Sequence, residues 1–132
     1  MIIADTSVLL DIVRNDPIWG RRSRQALDDA SANDEVVIND VIFAELSVRY
    51  PTFESFEATL ALVPLSHRQI PHRALFLAAK AFQRYRQRGG TRTGVLPDFF
   101  IGAHAAVEGA SLLTRDPRHV RGNFPTVPLI SP

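Results

Sequence analysis

The sequence contains no cysteine among its 132 residues, and this absence excludes disulfide bonds and metal sites built from thiolates. No apolar run approaches the roughly 20 residues that a membrane-spanning helix requires, so we expect no membrane partner. The N-terminus also lacks a basic segment followed by a long apolar stretch, so we expect no secretory signal. Together these absences predict a soluble protein of the cytoplasm.

Several sequence signatures of known enzyme classes are missing as well. There is no glycine-rich phosphate loop and no serine elbow, which argues against phosphate-loop enzymes and serine hydrolases. Lys80, the only lysine, lies inside a predicted helix, which argues against a receiver domain with a lysine at a strand end. The four histidines, at positions 67, 72, 104 and 119, lack the spacing of metal ligands. His104 would lie about 240° around its helix from Asp98, and we interpret it as a structural or exposed residue.

Strand-like and helix-like segments alternate along the chain. Short apolar runs predict strands at 1–4, 36–38, 112–114 and 127–130, with a strand fragment at 64–65. Apolar residues at helical spacing, bounded by capping residues, prolines and glycines, predict helices at 7–13, 17–30, 40–50, 52–63, 71–88 and 97–108. Residues 91–96 are predicted to form a loop, and a short helical turn is predicted from residue 116. This alternation predicts one α/β domain over residues 1–132, with a short parallel sheet of about four to five strands covered by helices on both faces.

Four acidic residues follow the apolar runs: Asp5, Glu45, Asp98 and Asp116. In an open α/β sheet, ligands bind at the carboxyl ends of the strands, so these side chains are expected to converge at one edge. Two carboxylates about 5 Å apart repel by roughly 3 kcal/mol at an effective dielectric near 20, so a cluster of four calls for a bound cation. Oxygen ligands favour Mg²⁺ or Mn²⁺ over Zn²⁺.

Each acidic residue also has a purely structural interpretation. Asp5, Asp98 and Asp116 all precede or open predicted helices and would serve as N-caps, and Glu45 would be a solvated helix residue. The hydroxyl groups of Thr6, Ser7 and Thr114 lie near the acids in sequence. They would hold metal-bound water or a carboxylate, or else share the capping of helices.

Charge is distributed unevenly along the chain. Residues 58–97 contain no Asp or Glu, whereas residues 28–57 contain eight acidic residues against Arg49 alone. The basic residues are nearly all arginines, which favours bidentate phosphate contacts. The uneven distribution predicts a polyanionic partner on the basic side, where Arg84, Arg86, Arg88 and Arg92 lie; the alternative is a solvated helix face.

Four short segments carry a resemblance in combination: IIADTSVLL at 2–10, FAEL at 43–46, LPDFFIGAHA at 96–105 and LTRD at 113–116. Together they resemble the PIN-domain family, and within it the VapC-type ribonuclease toxins of bacterial toxin–antitoxin modules. The resemblance spans essentially the whole chain, in the right order. It implies a PIN-like three-layer fold, a homodimer, and inhibition by a partner antitoxin whose tail fills the active-site groove.

The resemblance also implies a metal-dependent endoribonuclease whose acidic site is formed by Asp5, Glu45, Asp98 and Asp116. Many relatives place a later acid after the final motif, at a position that His119 or Val120 occupies here, so Asp116 must serve as the fourth acid. The first three acids would bind Mg²⁺, with Mn²⁺ also accepted. Asp116 would ligate it directly, through water, or at a second metal.

The function that follows is hydrolysis of phosphodiester bonds in structured RNA, such as transfer or ribosomal RNA. The RNA backbone would be contacted by Arg84, Arg86, Arg88 and Arg92. Arg115 would either contact the scissile phosphate or neutralise the acid cluster. Two alternatives stay open at this point. The chain would instead be a non-catalytic PIN-like binding module, or a structure-specific DNA nuclease.

Overall fold

A five-stranded parallel sheet forms the centre of the computed structural model, which describes residues 1–92 and 95–132. The strands are β1 (Ile2–Ala4), β2 (Val36–Ile38), β3 (Ser66–His67), β4 (Ser111–Leu113) and β5 (Leu129–Ile130), in the order β3-β2-β1-β4-β5. All four strand pairs are parallel. The predicted α/β fold with a short parallel sheet of four to five strands is therefore confirmed.

Within the described residues, seven helices flank this sheet. They are α1 (Thr6–Val13), α2 (Gly20–Asn33), α3 (Asp40–Ser47), α4 (Phe53–Leu60), α5 (His72–Gln87), α6 (Leu96–Glu108) and α7 (Pro117–Asn123). Every residue of β1 and β2 is buried, although successive strand side chains point to opposite faces. Both faces of the sheet are therefore covered, which explains why these strands read as continuous apolar runs in the sequence. No helix among the described residues is both long enough and apolar enough to cross a membrane.

Several element boundaries differ from the sequence predictions. The helices predicted at 40–50 and 52–63 end three residues earlier, and the strand predicted at 127–130 begins two residues later. Two other differences have a clear physical reason. The second helix begins at Gly20 and not at Pro17, because the Asp16 carboxylate accepts hydrogen bonds from the N–H groups of Ile18 and Trp19 and holds that segment in a turn. The strand fragment predicted at 64–65 lies at Ser66–His67 instead. Residue 64 is a proline, which has no N–H to donate to a strand ladder.

The segment before α6 was predicted as a loop over 91–96. Thr93 and Gly94 lie outside the described residues, and Leu96 already belongs to the helix. At its other end α6 stops at Gly109, which has a φ of 63° and adopts the left-handed conformation that favours glycine. The helix therefore has a sharply defined C-terminus, as its sequence predicted.

Buried aromatic and polar side chains fix α6 in the core. Phe99 is fully buried and makes an edge-on contact with Phe82 on α5 at 5.5 Å between ring centroids. His104 is 1% exposed, and its Nδ1 lies 3.1 Å from the side-chain amide of Asn39, the N-cap of α3. His104 is thus structural, one of the two roles expected for it, and it ties α6 to the start of α3.

Candidate active site

The four predicted acidic residues lie at the carboxyl edge of the sheet. Asp5 directly follows β1, Asp116 follows β4, and Asp98 sits in the first turn of α6. These three line one cleft of about 30 Å³. Glu45, on the helix that follows β2, lies beside them and lines an adjoining groove together with Thr6. The structure therefore brings the four carboxylates to the same side of the molecule.

Asp5 is held by three hydrogen bonds. Its Oδ1 accepts from the backbone N–H of Thr6 at 2.8 Å, which caps α1. Its Oδ2 accepts from Thr114 Oγ1 at 2.7 Å and from Ser7 Oγ at 3.0 Å. Asp5 is thus both a helix cap and a carboxylate fixed by hydroxyl groups from the first turn of α1 and from the segment after β4.

The predicted supporting hydroxyls form a network around the acids. Thr6 Oγ1 donates to Glu45 Oε1 at 2.6 Å, which connects α1 to α3. Thr114 Oγ1, while donating to Asp5, accepts from the backbone N–H of Asp116 at 3.0 Å. This network links three of the acidic residues to one another through Thr6 and Thr114.

Capping does not account for the other two aspartates. The N-cap of α6 is Val95, so Asp98 lies inside the helix, and the interpretation of Asp98 as an N-cap is wrong. Asp116 occupies the N-cap position of α7, but its side chain makes no capping hydrogen bond. Neither carboxylate is therefore placed by the needs of a helix terminus.

Burial and mutual repulsion both act on the carboxylates. Burial raises the pKa of Glu45; the hydrogen bond from Thr6 opposes this shift, and the charges of Asp5 and Asp98 add to it. Burial likewise raises the pKa of Asp98, with the positive form of His119 opposing the shift and nearby aspartates adding to it. The fold thus disfavours the full negative charge of this cluster, as expected where a cation belongs.

The residues fit a divalent cation in donor type, charge and space. All the acidic donors are oxygens, which suit Mg²⁺ and Mn²⁺. A cleft of about 30 Å³ has room for one ion or one water molecule and no room for a nucleotide. Within residues 1–92 and 95–132, however, no three acidic or histidine side chains are close enough together to enclose an ion as they stand. The acids surround an open cleft and would have to close on an ion.

Only part of the predicted arginine set lies at the site. A groove of about 480 Å³ adjoins the acidic cleft and shares Asp116 and His119 with it. Its basic lining residues are Arg88, Arg92 and Arg118. Arg84 and Arg86 are exposed on α5 and do not line this groove. Of the four predicted arginines, Arg88 and Arg92 therefore line the groove beside the acidic cleft, and Arg84 and Arg86 lie outside it.

Arg115 has a partner that the sequence did not indicate. Its Nε lies 3.0 Å from Oδ2 of Asp11, a buried carboxylate on α1 that also accepts from Ser23 Oγ at 2.7 Å. The Arg115 guanidinium also lies 5.1 Å from the ring centroid of Trp19. As placed, it neutralises Asp11 rather than the acid cluster.

Sequence analysis missed several polar residues around the cleft. Arg118 and His119 follow Asp116 by two and three positions on a short helix, a spacing that puts residue 119 close to residue 116. Arg14 and Arg49 line the groove beside Glu45. The helical turn predicted from residue 116 could have indicated that Arg118 and His119 lie near Asp116. No such signal exists for Arg14 and Arg49, because they come together only in the folded chain.

Comparisons with known proteins agree with this architecture. The family model of the PIN domain matches residues 2–124. A comparison with curated proteins found no match. Among solved structures, VapBC2 from Rickettsia felis bound to a DNA fragment from their promoter has a TM-score of 0.76 at 20% identity, with 99% of this chain and 98% of that chain covered.

Two further structures are similar. A toxin–antitoxin complex from Klebsiella pneumoniae has a TM-score of 0.71 at 22% identity, with 96% of this chain and 95% of that chain covered. VapBC-1 from nontypeable Haemophilus influenzae has a TM-score of 0.74 at 16% identity, with 99% and 98% covered. At these identities the similarity establishes the fold.

Proposed function

The chain belongs to the PIN domain family, and from this premise we propose that it is a metal-dependent endoribonuclease, the VapC-type toxin of a toxin–antitoxin pair. One observation carries the proposal. Three half-buried or exposed carboxylates, those of Asp5, Asp98 and Asp116, line one ion-sized cleft at the carboxyl edge of the sheet, and Glu45 lies beside them. Such a site is costly to fold without a cation, and helix capping accounts for Asp5 alone.

The four acids would hold Mg²⁺, with Mn²⁺ as an alternative. When bound, the ion supplies the Lewis acidity that phosphodiester hydrolysis needs. The protein's own contribution is to hold the ligands in place. Thr114 and Ser7 fix one oxygen of Asp5, and Thr6 fixes one oxygen of Glu45, so that few side-chain rotations must be frozen on binding.

The arginine-lined groove would carry the RNA backbone to the acids. Arg88, Arg92 and Arg118 line a groove that runs into the acidic cleft at Asp116. Contacts between guanidinium groups and phosphates carry no information about base sequence, so this surface suits recognition of RNA by its backbone, as in transfer or ribosomal RNA. Arg84 and Arg86, outside the groove, would contribute less.

These two arginine pairs give a matched comparison. Replacing Arg88 and Arg92 together with alanine should flatten the dependence of RNA affinity on salt by about two units of slope. Replacing Arg84 and Arg86 in the same way should flatten it less. Equal effects of the two double variants would contradict a path through the groove.

An antitoxin and a second copy of the chain are the proposed partners, in the cytoplasm. Support comes from the similar structures, which are toxin–antitoxin complexes. The chain also has an apolar groove of about 540 Å³ between α1, α3 and α4. Two of its apolar lining residues stay exposed, Val13 at 43% and Leu62 at 83%, and such a surface suits a protein partner.

The test is cleavage of a pool of bacterial RNA by the purified protein without antitoxin, run with Mg²⁺, with Mn²⁺ and with a chelator. We expect discrete fragments that require metal and disappear with Asp5→Asn. Asparagine caps helices as well as aspartate does, so this variant should keep the cap of α1 and stay folded.

Other outcomes would favour the alternatives. Folded wild-type protein that cleaves no RNA and whose melting temperature does not respond to metal would be a non-catalytic binding module. Cleavage of DNA hairpins in preference to matched RNA hairpins would identify a DNA nuclease.

A further inference from the structure

A second groove adjoins the acidic site at Glu45, and we call it the Glu45 groove. It lies between α1 and α3, encloses about 530 Å³ and has Arg14 and Arg49 as its basic lining residues. Its volume is close to the 480 Å³ of the groove that holds Arg88 and Arg92. Both volumes are within the range of surfaces that bind ligands.

The order of the strands places the two grooves on opposite sides of Asp5. In the sheet, β1 lies between β2 and β4, and Asp5 directly follows β1. Glu45 is on the helix that follows β2, whereas Asp116, which lines the arginine-lined groove, follows β4. A polynucleotide that crosses this edge of the sheet can therefore reach the acids along one groove and leave them along the other.

Cleavage inside an RNA chain calls for such a two-sided surface. An endonuclease must hold the chain on both sides of the bond that it cuts, so that the bond is positioned at the acids. The acidic cleft of about 30 Å³ has no room for the nucleotides on either side. The groove with Arg88 and Arg92 accounts for one side only.

Arg14 and Arg49 are available to bind phosphate. Both residues are exposed, and among the described residues neither forms a salt bridge with a carboxylate. They lie at the C-terminal ends of α1 and α3, where a positive charge also interacts favourably with the helix dipole. That interaction uses only the charge and leaves the guanidinium N–H groups for another acceptor. Glu45 is the only acidic lining residue, so the groove carries a net positive charge.

The position of Arg14 fits binding rather than chemistry. Arg14 follows Thr6 by eight residues along α1, which corresponds to about 12 Å along the helix axis. Thr6 is the residue that contacts Glu45, so Arg14 is directed at a phosphate beyond the one that is cut.

We propose that the Glu45 groove is a second binding surface for the RNA backbone, in which Arg14 and Arg49 bind phosphates on the side of the scissile bond opposite to that held by Arg88 and Arg92. The inference rests on the proposed ribonuclease function and adds the second half of the substrate path to it. Both arginines are binding residues and not catalytic residues.

The first test measures binding of a fluorescein-labelled pool of bacterial transfer RNA by fluorescence anisotropy, in chelator so that no cleavage occurs. Replacing Arg14 and Arg49 together with alanine should flatten the salt dependence by about 1.5–2 units of slope. The affinity at 0.1 M salt should fall by about tenfold or more. Arg21→Ala combined with Arg73→Ala is the matched control, because it removes two exposed arginines that line neither groove, and it should change the slope much less.

The absence of cysteine permits a second test, of position. Val48 lines the Glu45 groove and is 87% exposed. Val48→Cys introduces the only thiol of the chain, which can be labelled with benzophenone maleimide and irradiated with the transfer RNA pool in chelator. Phe76→Cys, on α5 and outside both grooves, is the matched control at 67% exposure, and it should crosslink to RNA about tenfold less.

Two readouts separate binding from a role at the helix ends. A role confined to the helix ends would lower the melting temperature of Arg14→Ala/Arg49→Ala and leave its RNA affinity unchanged, which would overturn the proposal. In cleavage assays the double variant should need about tenfold more protein to reach half of its maximal rate. Its rate at saturating protein should stay within about threefold of wild type, because neither arginine contacts the reacting atoms.

The proposal is also overturned if the double variant keeps the wild-type salt dependence, or if Val48→Cys crosslinks no better than Phe76→Cys. In either case, wild-type protein that binds and cleaves RNA would leave the proposed function standing and remove only this inference. Wild-type protein that neither binds nor cleaves RNA would remove the proposed function together with it.

Discussion

Replacing Arg115 with alanine should destabilise the protein strongly, although the side chain lies partly on the surface. Arg115 is the only cationic partner of Asp11 among the described residues, and the Asp11 side chain is 3% exposed. In Arg115→Ala this carboxylate would keep only the hydrogen bond from Ser23. A buried charge without its counter-ion is expensive, and this cost exceeds the value of the pair itself.

The size of the effect follows from these contacts. Removing one partner of a buried ion pair costs about 3–5 kcal/mol, and water reaching the one-third-exposed Arg115 site brings this down to about 2–3 kcal/mol. Loss of the contact with the Trp19 ring adds about 0.5–1 kcal/mol. For a chain of 132 residues the entropy of unfolding is about 0.28 kcal/mol per kelvin, so about 3 kcal/mol lowers the melting temperature by about 11 °C.

Thermal melting followed by circular dichroism measures this change. Arg121→Ala, at an exposed position on α7, is the matched control and should melt within about 2 °C of wild type. In the Asp11→Asn background the buried side chain is an uncharged amide, so adding Arg115→Ala should cost much less than it does in wild type.

A fall of less than about 2 °C for Arg115→Ala would refute the argument. Arg115 would then be free to contact a phosphate, as one of the two sequence-based interpretations has it. RNA cleavage by Arg115→Ala, measured well below its melting temperature, would decide whether it does.

Three further predictions concern other parts of the structure. The fold raises the pKa of Asp98 above 3.8, chiefly through burial, so stability is lost as the pH rises through the folded value. Asp98→Asn should therefore raise the melting temperature of the metal-free protein at neutral pH and reduce its response to Mg²⁺; a lower melting temperature would contradict this. Burial lowers the pKa of His104 below 6.5, so stability should decline as the pH falls below about 6.5, and His104→Gln should decline less in melts over that range. In Gly102→Ala the added methyl group would meet the ring of Phe124 and cost about 1–3 kcal/mol, whereas Gly122→Ala, with open space around it, should melt close to wild type.

Much of the fold could be predicted because burial leaves a local pattern. The runs at Ile2–Ala4 and Val36–Ile38 are apolar at every position, as strands covered on both faces must be. The helix that ends at Gly109 follows equally local rules. The strand at Ser66–His67 was misplaced because its residues are polar and exposed, and only pairing with β2 makes them a strand.

The candidate site was likewise predictable from the sequence only in part. The positions of Asp5, Asp98 and Asp116 after apolar segments indicated that they would lie at one edge of a parallel sheet. Their hydrogen-bond partners are less accessible to sequence analysis, since Thr114 and Asp5 are 109 positions apart. The sequence allowed the proposal that the hydroxyls of Thr6 and Thr114 contact carboxylates. It could not indicate which carboxylate oxygen each hydroxyl contacts.

The sequence by itself determined the order of the elements, the parallel sheet and the acidic residues near its edge, because these depend on local apolar patterns and on a general rule about strand ends. Only the tertiary structure decided the partners of the charged and polar side chains. It paired Arg115 with Asp11, divided the arginines into those inside and outside the groove, and placed Asn123 between Arg88 and His119. Such pairs join residues far apart in the chain through long side chains, whose directions are fixed by packing and not by local sequence.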